Sequence, residues 1–195
     1  IAGGIYLLMA TWKKGRGLVW ERIRSSAIPL DKFIAEIGRR EPTRVAGTAV
    51  YMAGNPDATP LALLHNLKHN KVLHRRVVVL TILVEEEARV EDDGRVAVEK
   101  LDEGFWRVRA RYGFMEEPEV GDVLNRCAAG GLEFKPMETT FFLSRETIIP
   151  AGHGKGMAAW RERLFAVMAR NATSATAYFR LPANRVVELG MQVEI

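Results

Sequence analysis

The densest group of chemically capable side chains is one short stretch, His65-Asn66-Leu67-Lys68-His69-Asn70-Lys71, with His74 just beyond it. Three of the four histidines of the chain lie there. His65 and His69 are four residues apart, so on a helix they share a face and have the spacing of a two-histidine metal grip. A metalloprotease helix carries a glutamate beside its first histidine, and Asn66 stands in that place. No acid lies within the stretch to complete a ligand set, so no metal or other cofactor is expected. The same residues offer a hydrogen-bonding surface of imidazole and amide groups, facing an adjoining turn or a partner domain. Lys68 and Lys71 add positive charge able to meet an anion such as a nucleotide phosphate.

The segment before this stretch, Gly54-Asn55-Pro56-Asp57-Ala58-Thr59-Pro60, joins a strand pattern to a helix pattern. Open α/β sheets place ligands at such junctions, which makes Asn55 and Asp57 candidate ligand residues. It has no Gly-Lys-Ser/Thr and no G-x-G-x-x-G, so it is neither phosphate loop, and a turn rich in turn-formers is the simpler reading. A second glycine-rich loop, Gly152-His153-Gly154-Lys155-Gly156, precedes a helix and offers backbone N–H groups to an anion or serves as a flexible connection. Ser144, Cys127 and His153 do not form a triad by spacing. With no catalytic constellation, the chain is not expected to be an enzyme.

The elements that must position these groups follow from periodicity. Leu30, Phe33, Ile34 and Ile37 make an amphipathic helix stripe after Pro29, closed by Gly38 and Arg39-Arg40. A strand is expected near 45–53, a helix near 60–74 and a strand near 76–84, whose run Val77 to Val84 is apolar on both faces. Strand, helix, strand at this spacing is a βαβ unit with a parallel pair. Asp93-Gly94 signals a hairpin turn, with the acidic run 85–93 as its solvated tip. Residues 95–101 and 105–114 alternate, with Arg107, Arg109 and Arg111 on the face read as solvated. Helices near 118–130 and 156–171 and strands near 139–148 and 186–195 complete an α/β fold, a mixed β-sheet with flanking helices preceded by juxtamembrane helices.

Charge is distributed unevenly. Residues 1–44 hold nine Lys/Arg against four acids, whereas the remaining residues hold 19 against 20. A nucleic-acid binder would carry its basic stripe across the folded body, so no nucleic-acid partner is expected. The basic flank follows an apolar stub, Ile1 to Trp12, and begins at Lys13-Lys14-Gly15-Arg16. An interfacial aromatic followed at once by Lys/Arg is the pattern of a membrane helix at its cytoplasmic end. A signal-like or buried N-terminal helix is the alternative. Twelve residues are too few to cross a bilayer, and no run of 18 apolar residues exists. One cysteine, Cys127, allows no intrachain disulfide.

Several long motifs carry a resemblance. Met9-Ala10-Thr11-Trp12-Lys13-Lys14-Gly15-Arg16 resembles the exit of the last transmembrane helix of the KUP family of potassium transporters. Arg44-Val45-Ala46-Gly47-Thr48-Ala49-Val50-Tyr51-Met52 is similar to the first cytoplasmic strand of that family, and His65 to His74 to its most recognisable C-terminal motif. Phe179 to Pro182 and Asn184 to Gly190 also match. The resemblance implies the cytoplasmic C-terminal region of a proton-coupled potassium uptake transporter of the bacterial inner membrane. The implied segments are 1–16 as membrane-helix end and basic flank, 17–43 as juxtamembrane helices and linker, and 44–195 as the cytoplasmic domain. The implied partners are the chain's own transmembrane domain and a second copy in a homodimer. Potassium and protons would be handled by the membrane part. Some relatives bind a cyclic dinucleotide such as cyclic di-AMP, or another adenine nucleotide, so a nucleotide ligand is the alternative reading of Asn55 to Lys71. A stand-alone soluble α/β enzyme is the alternative from another class.

Overall fold

The sheet is built on stretches rich in β-branched and aromatic residues, such as Val77 to Val84 and Thr139 to Leu143, and the helix over residues 30–40 follows the apolar stripe Leu30, Phe33, Ile34 and Ile37. The computed structural model describes residues 1–151 and 156–195. In chain order the elements are α1 (Ala2–Ser25), α2 (Leu30–Arg40), β1 (Thr43–Met52), α3 (Leu61–Asn70), β2 (Val72–Glu85), β3 (Val96–Lys100), β4 (Phe105–Gly113), α4 (Val120–Arg126), β5 (Thr139–Ile149), α5 (Ala159–Arg170), α6 (Ala175–Tyr178) and β6 (Val186–Glu194). The sheet order is β3-β4-β2-β1-β5-β6. β1 pairs parallel with both β2 and β5, β2 pairs parallel with β4, and β3 pairs antiparallel with β4. This is the expected α/β fold with a mixed sheet, and β1-α3-β2 is the expected parallel βαβ unit.

The chain divides into two units. The larger comprises Ile28–Ser144 and Ser174–Leu189. Alternation along its central strands feeds two cores. Ala49, Tyr51, Val77, Val79 and Phe105 pack with Leu30, Phe33, Ile34 and Ile37 of α2 and Ala62 and Leu63 of α3. Val50, Val78, Leu80, Val108 and Ala110 pack with Val120 and Val123 of α4, Cys127 and Leu132. β2 is therefore buried on both faces, as its unbroken apolar run requires.

The smaller unit comprises Ile1–Ala27, Arg145–Thr173 and Gly190–Ile195. α1 is one continuous 24-residue helix. Gly15 lets it approach α5 so closely that a Cβ there would stand 2.4 Å from the Phe165 ring. Trp12 lies against the same ring at 5.5 Å between centroids, and Arg161 Nε donates to Thr11 Oγ1 at 3.0 Å. At the other end of α1, Ile5, Tyr6, Leu8 and Met9 are exposed. No helix of the described residues is long and apolar enough to cross a membrane.

Three expectations need correction. The helix after β1 stops at Asn70, because Lys71 turns left-handed (φ 60°) and Val72, Leu73 and His74 join β2 opposite Thr43, Arg44 and Val45. His74 is thus a strand residue. Second, the acidic run 85–93 is no hairpin tip, since β2 pairs with β4 and not with β3. The hairpin turn lies at Asp102-Glu103-Gly104, where Glu103 and Gly104 both have positive φ and Phe105 N–H bonds Asp102 O at 3.0 Å. Third, β4 has no solvated face over Arg107, which is buried. The expected loop 152–156 lies, apart from Gly156, outside the described residues.

Candidate functional site

α3 is set by Pro60 at its N-terminal boundary, where the fixed φ of proline starts the helix without needing an N–H partner. Its inner face carries Ala62, Leu63 and Asn66. Asn66 is 3% exposed, and a buried amide must be bonded throughout. Its Nδ2 donates to the Tyr51 hydroxyl at 3.1 Å and to Val72 O at 3.2 Å, while its Oδ1 accepts from Asn70 Nδ2 at 2.8 Å. One side chain thereby ties α3 to β1 and to the start of β2. Tyr51 stacks on Phe142 of β5 at 4.7 Å between centroids. Burial raises the Tyr51 phenol well above its ordinary pKa, so it stays neutral. Asn66 and Asn70 are therefore braces first.

The outer face of α3 is different. The His65 and His69 rings lie 5.8 Å apart, centroid to centroid, and Lys68, His69 and Lys71 are exposed. Among the described residues no set of three His, Cys, Asp or Glu side chains could hold a metal ion. His74 is half-buried beside Phe142, with rings 5.8 Å apart, and its buried Nδ1 has no hydrogen-bond partner among the described residues. Burial lowers its pKa, so the imidazole is held toward the neutral form. Next to it, Arg44 donates from Nη1 to His74 O at 3.1 Å and from Nη2 to Glu103 O at 2.9 Å. This end of the sheet, where α2 and α3 finish and β1 and β2 begin, presents Arg39, Arg40, Lys68, Lys71 and Arg75 at its surface.

Asn55 and Asp57 lie elsewhere. They occupy the turn at the carboxyl end of β1, while Asn70 and Lys71 lie at the far end of α3, about 15 Å along ten helical residues. The fold does not gather the eight candidate residues at one point. Asn55 Oδ1 accepts from Asp57 N–H at 3.0 Å, closing an Asx-type turn. Asp57 O accepts from Leu30 N–H at 2.9 Å, and Thr59 N–H bonds Ile28 O at 2.8 Å, so the turn also seats the start of α2.

The residue missed by sequence reasoning is Arg107, whose side chain is only 8% exposed. Its Nε donates to Pro56 O at 3.0 Å, Nη1 to Glu99 Oε2 at 2.9 Å and Nη2 to Asp31 Oδ1 at 3.1 Å. Asp57 stands 3.8 Å away. One guanidinium so joins β4, β3, α2 and the β1–α3 turn, using the planar fork that lysine lacks. Arg109 adds longer contacts to Glu99 at 3.5 Å and Asp57 at 3.9 Å. The available signal was β4 itself: Phe105, Val108, Ala110 and Tyr112 mark a strand deep in the sheet, where an interleaved arginine needs partners.

Residues 46–195 match the family model described as K+ potassium transporter C-terminal domain. A probable potassium transport system protein Kup from Myxococcus xanthus (strain DK1622) is 59% identical over 191 residues, covering 98% of this chain and 29% of that protein. A probable potassium transport system protein Kup 1 from Paramagnetospirillum magneticum is 55% identical over 195 residues, covering 98% of this chain and 30% of that protein. A probable Kup 2 from Chromobacterium violaceum is 52% identical, covering 98% and 31% respectively. The chain thus spans about 30% of the length of these relatives. No solved structure matches it. A match over residues 46–195, which takes in all of α3 and all of the sheet except the first three residues of β1, identifies the chain as a member of the K+ potassium transporter C-terminal domain family.

Proposed function

We propose that this chain is the cytoplasmic regulatory and assembly region of a proton-coupled potassium uptake transporter of the bacterial inner membrane, with no catalytic role of its own. The observation that carries the reading is the family match over 46–195 together with relatives about three times as long. Potassium and protons pass through the membrane part, which lies in the remainder of the protein. The exposed apolar end of α1, followed by Lys13, Lys14 and Arg16, is the cytoplasmic end of a membrane helix that joins that part to the domain. The outer face of α3, with His65, Lys68, His69 and Lys71, is a contact surface through which the domain acts on the membrane part or on a second copy in a homodimer.

The test changes His65, Lys68 and His69 together to alanine in the full-length transporter. Uptake rate or dimer fraction is expected to change while the circular dichroism of the purified protein does not. Unchanged uptake and unchanged dimer fraction would remove the α3 face from the account. Calorimetry of the purified transporter with ATP, AMP and cyclic di-AMP separates assembly from nucleotide sensing: no heat and no thermal shift leaves the assembly role alone.

A further inference from the structure

The carboxyl ends of β2 and β4 carry three large apolar side chains that the domain leaves in solvent. Val84, Phe114 and Met115 are 60%, 62% and 68% exposed. They do not sit on a loose loop. Phe114 N–H bonds Glu87 O at 3.0 Å, and Met115 N–H bonds Ala88 O at 3.1 Å. In the same turn, closed by Glu116 N–H on Gly113 O at 3.0 Å, the Glu116 carboxylate accepts from Gly113 N–H at 2.7 Å, Val90 N–H at 3.0 Å and Arg95 Nη2 at 2.8 Å. Arg95 also donates to Val90 O and lies 5.0 Å from the centre of the Tyr112 ring. The segment 86–95 is thus fastened to 113–116, and the three side chains are held outward on an ordered base. Apolar groups fixed in this way lose little freedom on meeting a partner.

The charge around them is one-sided. Residues 85–93 contain six acids and one base, Arg89. Glu85 is paired with Arg111, and Asp92 with Arg95 and Arg126. Among the described residues Glu86, Glu91 and Asp93 have no ion pair. An anionic lipid surface, a nucleotide or a nucleic acid would be repelled by this rim. A polypeptide segment rich in Lys/Arg with an apolar anchor would match both the rim and the apolar centre. Cytoplasmic loops of membrane proteins have that composition by the positive-inside rule.

We propose that Val84, Phe114 and Met115, with the rim of Glu86, Glu87 and Glu91, form the docking surface for a Lys/Arg-rich cytoplasmic segment of the membrane part of the same transporter. This rests on the transporter reading given above. It adds a second contact, at the carboxyl ends of β2 and β4, to the α3 face proposed above.

The test places the photo-cross-linking residue p-benzoylphenylalanine at Met115 of the full-length transporter, with Val187 as the control position. Inside-out membrane vesicles are irradiated and the joined peptides are identified by mass spectrometry. The expected product links Met115 to a Lys/Arg-rich segment outside residues 1–195. Changing Glu86, Glu87 and Glu91 together to lysine is expected to lower its yield roughly tenfold, as reversing several rim charges should. A product with lipid, a product with a segment poor in Lys/Arg, no product, or a yield indifferent to charge reversal would each overturn the docking surface. Potassium uptake by the intact cells that supplied the vesicles is measured in parallel. Uptake without the cross-link overturns the docking surface alone. The cross-link without uptake leaves the docking surface standing and overturns the transporter reading.

Discussion

The amide of Asn66 reaches across from α3 and donates to the Tyr51 hydroxyl of β1 at 3.1 Å, where the tyrosine is wholly buried. Removing it leaves a buried hydroxyl and the Val72 carbonyl short of a donor. Asn66→Ala is therefore expected to cost about 1–3 kcal/mol of unfolding free energy, the range for stranding buried polar groups. Tyr51→Phe keeps the stack on Phe142 and should cost less, about 0.5–1.5 kcal/mol. In the double variant the two losses should not add, because both remove the same bond. Urea unfolding of the four proteins measures this, and strictly additive losses would count against the bond.

Arg107 fastens four elements, and its partners set the magnitude. Asp31 is 82% exposed on its side chain and Glu99 52%, so water screens the carboxylates even though the guanidinium is covered. Arg107→Met is expected to cost about 1–2 kcal/mol, between a surface pair and a buried one. Arg107→Lys should restore only part of that, since an ammonium cannot span Pro56 O, Glu99 and Asp31 in the fork geometry. A melting temperature for Arg107→Lys equal to that of the parent would show the fork to be unnecessary.

Glu116 gives a pH signature. Its hydrogen bond from Arg95, then those from Gly113 and Val90, hold its carboxyl at about 2, below its ordinary 4.5. A carboxyl with a depressed folded-state pKa stabilises the fold above its unfolded pKa. That contribution is lost as pH falls from 4.5 toward 2. Glu116→Gln should be less stable than the parent at pH 7, and the gap should close on acidification through that window. Unfolding midpoints across the window for both proteins give the answer, and a constant gap would contradict the assignment.

Two glycines of α1 should behave oppositely. A Cβ at Gly15 would press into the Phe165 ring, whereas one at Gly17 would meet nothing within 4 Å. Gly15→Ala is expected to destabilise by about 1–3 kcal/mol through overpacking. Gly17→Ala should stabilise by up to about 1 kcal/mol, because alanine favours the helix. Thermal unfolding of both variants decides it, and the same sign for both would contradict the close approach of α1 to α5.

These features differ in how far the sequence revealed them. The β1-α3-β2 unit was legible because Pro60 and the run Val77 to Val84 are local signals. The turn was not: Asp93-Gly94 and Glu103-Gly104 look alike, and only the pairing of β4 with β2 selects the second. Likewise His65 to His74 was legible as a motif, but Asn66 became a brace only once Tyr51 from another strand lay beneath it. Arg107 was misread because alternation reports a strand's two faces and not what covers them. Three acids from α2, β3 and a turn cover that face, and their convergence is a property of the fold.

The central claim is that this region controls a potassium transporter and does not itself form the ion path. The most direct measurement is potassium uptake, with rubidium as tracer and sodium as competitor, in cells lacking their own potassium uptake. The full-length transporter is compared with a version lacking residues 44–195, at matched amounts in the membrane. Preference for potassium over sodium is expected to be kept while the rate changes several-fold. Loss of that preference, or a rate identical to the full-length protein, would contradict the account.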